Sequence, residues 1–110
     1  MRTDYLDCCE QPTLEVIRPL YQASHDAEAL MRCTHCQTPW FYRFSEYVTF
    51  DGPDDRTSWF TRLDDEEAER IRTADDTAAM DLGFLEQRQS WMHDGEGPRQ
   101  ASGQPRHPWS

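Results

Sequence analysis

Chemistry in this chain is concentrated in two short stretches, Cys33-Thr34-His35-Cys36 and the adjacent pair Cys8-Cys9. Four thiols in two clusters are what a tetrahedral, borderline-soft cation needs. A Cys-x-x-Cys turn lets two sulfurs converge on one ion, and Cys33 and Cys36 meet that condition. Cys8 and Cys9 are harder to place, because neighbouring side chains on an extended backbone point in opposite directions. They share an ion only if the chain turns sharply between them. Two ligand sets follow. Either Cys8, Cys9, Cys33 and Cys36 all bind, or one of Cys8 and Cys9 binds with His35 or His25 completing the set. The expected cofactor is one structural zinc ion. Four thiolates would saturate it and leave no open position for catalysis, so no catalytic residue is assigned.

Other chemistry is possible for the same residues. A Cys-x-His-Cys motif also suits disulfide exchange, since a neighbouring histidine lowers a thiol pKa. That reading wants a motif that follows a strand and opens a helix. Here Pro39 and a long aromatic stretch follow instead, and Cys8-Cys9 is left unexplained. Iron in the same four-sulfur cage would make an electron carrier. Buried, unligated cysteines acting as small hydrophobes are the plainest alternative.

The elements that must position the thiols can be read from pattern. Thr13–Arg18 alternates between Pro12 and Pro19 and predicts a strand. Ala29–Arg32 predicts a second strand running into Cys33. Trp40–Phe50 is the most β-prone segment, with Trp40, Tyr42, Phe44, Glu46, Val48 and Phe50 making one face almost wholly apolar and the other mixed, as in a sheet covered on one side. Residues 51–55 signal a turn, and Thr57–Arg62 reads as the returning strand. Asp64 and Glu67 form a capping-box signature for a helix carrying Ala68 and Ile71 inward and ending near Thr73. The spacing of Met80, Phe84, Leu85 and Trp91 predicts a second helix, from about Thr77 or Asp81 to Met92. From His93 to Ser110, Gly, Pro, Gln, Arg and Ser dominate, which predicts a flexible tail.

Two cysteine clusters flanking a predicted hairpin make residues 6–62 resemble the zinc-ribbon or rubredoxin-like class. The second knuckle, Cys33 to Cys36, fits that class, whereas the first is an adjacent pair rather than Cys-x-x-Cys. The resemblance implies an α+β fold: a zinc-ribbon-like antiparallel sheet of about four strands followed by one or two C-terminal helices. The expected organisation is a single metal-stapled domain, 1–92, and a tail, 93–110.

Composition bounds the function. With 36% hydrophobic residues and a mean hydropathy of -0.94, the 110-residue chain has a small core of the kind that needs a staple. Met1–Asp7 carries two acids and no apolar run, and about 18 consecutive apolar residues occur nowhere. A cytoplasmic protein is expected, where thiols stay reduced. The formal charge is -10, from 21 acids and 11 bases, all of them arginine. A surface that tracks phosphates should be basic, so direct nucleic-acid binding is disfavoured. Between Asp51 and Asp76 ten acids face four arginines. Asp51, Asp54, Asp55, Asp64, Asp65, Glu66, Glu67 and Glu69 are the candidate surface for a basic protein partner. The leading expectation is therefore a small acidic zinc protein acting as an interaction or inhibitor module, of the immunity, antitoxin or nucleic-acid-mimic kind. The alternatives are a zinc-ribbon subunit in transcription or RNA processing, with Arg18, Arg32, Arg43 and Arg62 as its basic face, and a redox protein. The aspartate pairs, including Asp75-Asp76, lack any accompanying nucleophile elbow, phosphate loop or His-Glu-x-x-His motif and read as solvated or capping acids.

Overall fold

The computed structural model describes residues 4–47, 55–77, 80, 82–94 and 97–103. Six strands follow one another: β1 (Leu14–Gln22), β2 (Asp26–Cys33), β3 (Pro39–Tyr47), β4 (Asp55–Arg62), β5 (Gln89–Asp94) and β6 (Gly97–Ser102). They form one antiparallel meander in chain order. Among the described residues one α-helix, α1 (Asp65–Thr73), and a 3-10 turn at Gly83–Glu86 lie between β4 and β5. The expected sheet of about four strands with C-terminal helices is therefore corrected to six strands, with the helix inserted before the last two. Most of the turn expected at residues 51–55 lies outside the described residues, as do Val48, Thr49 and Phe50 of the expected third strand.

The second helix is replaced by the 3-10 turn and β5. Helical spacing of apolar residues competes here with the open edge of β4, whose backbone donors and acceptors need partners. Pairing wins: Ser58, Trp59, Phe60 and Thr61 face His93, Met92, Trp91 and Ser90. Thr61 Oγ1 and Ser90 Oγ, both buried, lie 2.6 Å apart. The segment expected as a tail carries β6 and ends, among the described residues, at Gly103. Its poor apolar content matters little, because β6 is held by its ladder to β5. Both Arg99 amino groups also reach the Asp94 carboxylate, at 2.9 and 2.7 Å. Gly103 has φ +85, and a Cβ there would stand 1.9 Å from the Glu86 carbonyl oxygen, so only glycine allows the close approach that seats β6 against the 3-10 turn.

Both faces of the sheet are covered, where one covered face was expected. Trp40 and Phe41, successive residues pointing opposite ways, are each 1% exposed. One face packs Leu30 and Phe41 against Leu63, Ala68, Ile71 and Leu85. The other packs Ala29, Met31, Trp40 and Phe60 beneath Leu6, with Tyr5, Cys8, Leu14, Tyr42 and Trp91 around them. The amino-terminal segment supplies that second cover. β1 also runs on through Pro19, with register shifts on either side of it. An edge strand tolerates the missing N–H.

α1 is fixed at both ends. Glu67 N–H donates to Asp64 Oδ1 at 2.7 Å and Asp64 N–H to Glu67 Oε1 at 2.9 Å, which completes the capping box. Ala68 and Ile71 are buried as the pattern required. At the other end Arg18, from β1, donates to the carbonyls of Ile71, Arg72 and Ala74 at 2.9, 3.1 and 2.7 Å. One guanidinium thus satisfies acceptors the helix leaves unpaired and sits at the negative end of its dipole. Replacing Arg18 by Met keeps the stem but removes these bonds. We expect Arg18→Met to cost about 1–3 kcal/mol in urea unfolding, with loss of helical circular dichroism; a change under about 0.5 kcal/mol would contradict the capping role.

Candidate metal centre

Cys33 ends β2, and the chain turns before Pro39 opens β3. The turn is closed by Gln37 N–H donating to the Cys33 carbonyl at 2.8 Å and Cys33 N–H donating to the Thr38 carbonyl at 2.9 Å. It is anchored sideways to the start of β1, because Thr34 N–H and Oγ1 both donate to the Thr13 carbonyl, at 2.7 and 3.2 Å. Reversing direction so tightly puts Gln37 at φ 68, the left-handed region. These bonds bring Cys33 and Cys36 to one side of the hairpin end.

Cys8 and Cys9 lie in a bent segment ahead of β1, with neither helix nor strand. The bend supplies the sharp turn an adjacent pair requires. Cys8 Sγ and Cys9 Sγ are 4.0 Å apart, and Cys9 Sγ lies 3.8 Å from Cys33 Sγ. All four sulfurs fall within 4.8 Å of one another. A zinc–sulfur bond of about 2.3 Å implies tetrahedron edges of about 3.8 Å. The four cysteines are therefore close enough together to hold a metal ion. His35 is exposed in the knuckle, and His25 is exposed just before β2, at the opposite end of that strand from Cys33. Eight extended residues put it on the order of 25 Å from the sulfurs.

The four thiols differ in how readily they ionise. Burial pushes the Cys8 thiol up, aided by hydrogen bonding with Cys36 and Cys33, and desolvation likewise raises Cys9. Cys33 is also penalised by burial, yet backbone hydrogen bonds from Cys36, Thr13 and His35 outweigh it and lower its pKa to about 6. The Thr38 hydroxyl, 3.1 Å from Cys36 Sγ, brings Cys36 down. Cys33 and Cys36 are thus drawn toward the anion, and Cys8 and Cys9 are held toward the neutral thiol chiefly by desolvation. A further detail fits a thiolate site. The buried Trp40 Nε1–H has no hydrogen-bond acceptor among the described residues, while Cys8 packs against the cluster that contains Trp40. A metal-bound Cys8 sulfur would give this donor a charged neighbour.

The candidate partner residues are scattered in role. Asp64, Asp65, Glu66 and Glu69 are exposed at the start of α1 and along it. Glu67 is 8% exposed and is held by Arg88, which also donates to the Arg62 carbonyl and lies over the Phe84 ring. Arg88 keeps the Glu67 carboxyl below its ordinary range. Glu69 pairs with Arg72. Asp51 and Asp54 lie outside the described residues, as does the Asp55 side chain. Of the arginines considered as a basic face, Arg18 caps α1, Arg43 is buried with its guanidinium 5.5 Å from the Trp59 ring, Arg32 is half-buried, and Arg62 is exposed over Trp40.

Sequence reasoning missed Trp40, Thr38 and Gln37 as parts of the site. Gln37 is the position where the knuckle geometry, once known, asks for glycine. No protein-family model, curated protein or solved structure matches the chain. Among the described residues no helix is long and apolar enough to cross a membrane.

A left-handed non-glycine residue costs about 1–2 kcal/mol, and glycine returns part of that as unfolded-chain entropy. We expect Gln37→Gly to stabilise the chain by up to about 1 kcal/mol and Gln37→Val to destabilise it by at least about 1 kcal/mol, read from urea midpoints. The reverse order would contradict the turn geometry.

Proposed function

We propose that this chain is a small zinc protein in which one ion, held by Cys8, Cys9, Cys33 and Cys36, is structural and in which binding to a basic protein partner is the biological activity. The observation that carries the metal part is the convergence of four sulfurs within 4.8 Å. A closed four-sulfur shell leaves no coordination position for substrate or water, which suits a staple rather than a catalyst. Zinc, without redox chemistry and content with four thiolates, is the ion proposed. The ion would clamp the amino-terminal segment to the end of the β2–β3 hairpin.

The interaction part rests on charge. The chain carries a formal -10, and Asp65, Glu66, Asp75 and Asp76 are exposed on and just after α1. Such a surface favours encounter with a cationic partner and repels nucleic acid. An inhibitor of a nucleic-acid-binding protein is the class this charge suits best. The ribbon-subunit alternative is weakened by the arginines, since Arg18 and Arg43 are committed inside the fold.

Metal analysis of protein purified without added metal tests the first part. We expect about one equivalent of zinc per chain, lost in Cys33→Ser; less than about half an equivalent of any metal would refute it. The same preparation, used as bait, should retain a basic protein whose binding weakens as salt rises to physiological strength. Binding indifferent to salt would refute the electrostatic part.

A further inference from the structure

We infer that the ion works as a latch, holding the amino-terminal segment, residues 4–9, closed over an aromatic face of the sheet. This inference rests on the metal reading above and adds what the metal controls.

Residues 4–9 carry no helix or strand, yet they contain two of the four sulfurs and two cover residues. Leu6 is 3% exposed. The Tyr5 ring lies 6.1 Å from Phe60, 5.7 Å from Trp91 and 5.3 Å from His93. Beneath them sit Met31, Trp40 and Phe60, with Tyr42 against Phe60 at 5.2 Å. The segment therefore joins the lid of this face to half of the ligand set, within five residues of sequence.

Ordering six irregular residues costs conformational entropy that burial of Tyr5 and Leu6 offsets only in part. Closure then depends on the two bonds that Cys8 and Cys9 would make to the ion. The rest of the fold depends on it less. The cluster of Leu30, Phe41, Leu63, Ala68, Ile71 and Leu85 lies on the opposite face and contains neither a cysteine nor a residue of the segment. The β2–β3–β4 ladders and the Arg18 cap on α1 also lie outside it. Loss of metal should open the segment and uncover Phe60, Trp91 and Tyr42 while this second core persists.

Hydrogen–deuterium exchange of the full chain, with zinc bound and after chelation, tests the latch, with metal content measured on each sample. We expect chelation to speed exchange of residues 4–9 at least tenfold, while α1 and the β2–β4 peptides slow exchange by the same factor as before. Cys9→Ser should reproduce the open pattern in the presence of zinc. Zinc bound at one equivalent with no change in residues 4–9 on chelation would overturn the latch and leave the metal site standing. Simultaneous loss of protection across the chain would overturn it in favour of a global staple. Absence of bound metal would overturn both readings.

Discussion

The convergence of four cysteine sulfurs within 4.8 Å is the constraint on which this structure turns. Sulfurs 3.8 to 4.0 Å apart cannot share a site as anions without a cation between them, and as neutral thiols they make only weak contacts. The backbone nevertheless commits to bringing them together. It places Gln37 in a left-handed conformation, bends the chain at Cys8 and Cys9, and aims hydrogen bonds at Cys33 and Cys36 that favour their anions. Such preparation has a physical purpose if an ion supplies the compensating charge.

The site lies where three parts of the chain meet: the amino-terminal segment, the start of β1 and the β2–β3 turn. That position explains how a chain so poor in apolar residues covers both faces of its sheet. α1 and the 3-10 turn cover one face through Leu63, Ala68, Ile71 and Leu85. Tyr5 and Leu6 cover the other, a few residues ahead of Cys8 and Cys9. Arginine serves as the internal fastener elsewhere. Arg18 closes the C-terminal end of α1, and Arg88 joins its N-terminal capping box to the strand that follows. Asp65 and Glu66 remain exposed in the first turn of α1.

Features specified by near neighbours were legible in the sequence. The Cys33–Cys36 knuckle, the capping box of Asp64 and Glu67, and the aromatic run beginning at Trp40 each announce themselves within a few residues. What depended on distant partners was not. β5 and β6 exist because β4 offers an edge, and the spacing of Phe84, Leu85 and Trp91 matches a helix well enough to mislead. Arg18 reads as an ordinary strand residue until α1, more than fifty positions later, presents its carbonyls. The second covered face was hidden for the same reason, since nothing local to Tyr5 and Leu6 says that they lie over Phe60. In the site itself, the bend that lets Cys8 and Cys9 act together is a product of this packing.

X-ray absorption at the metal edge of the purified, metal-loaded protein tests the central claim most directly. Four cysteine ligands predict a first shell of four sulfur scatterers at about 2.3 Å, with no light-atom contribution. A shell containing nitrogen or oxygen at about 2.0 Å would contradict it, because a histidine or water would then stand where the fourth sulfur is assigned.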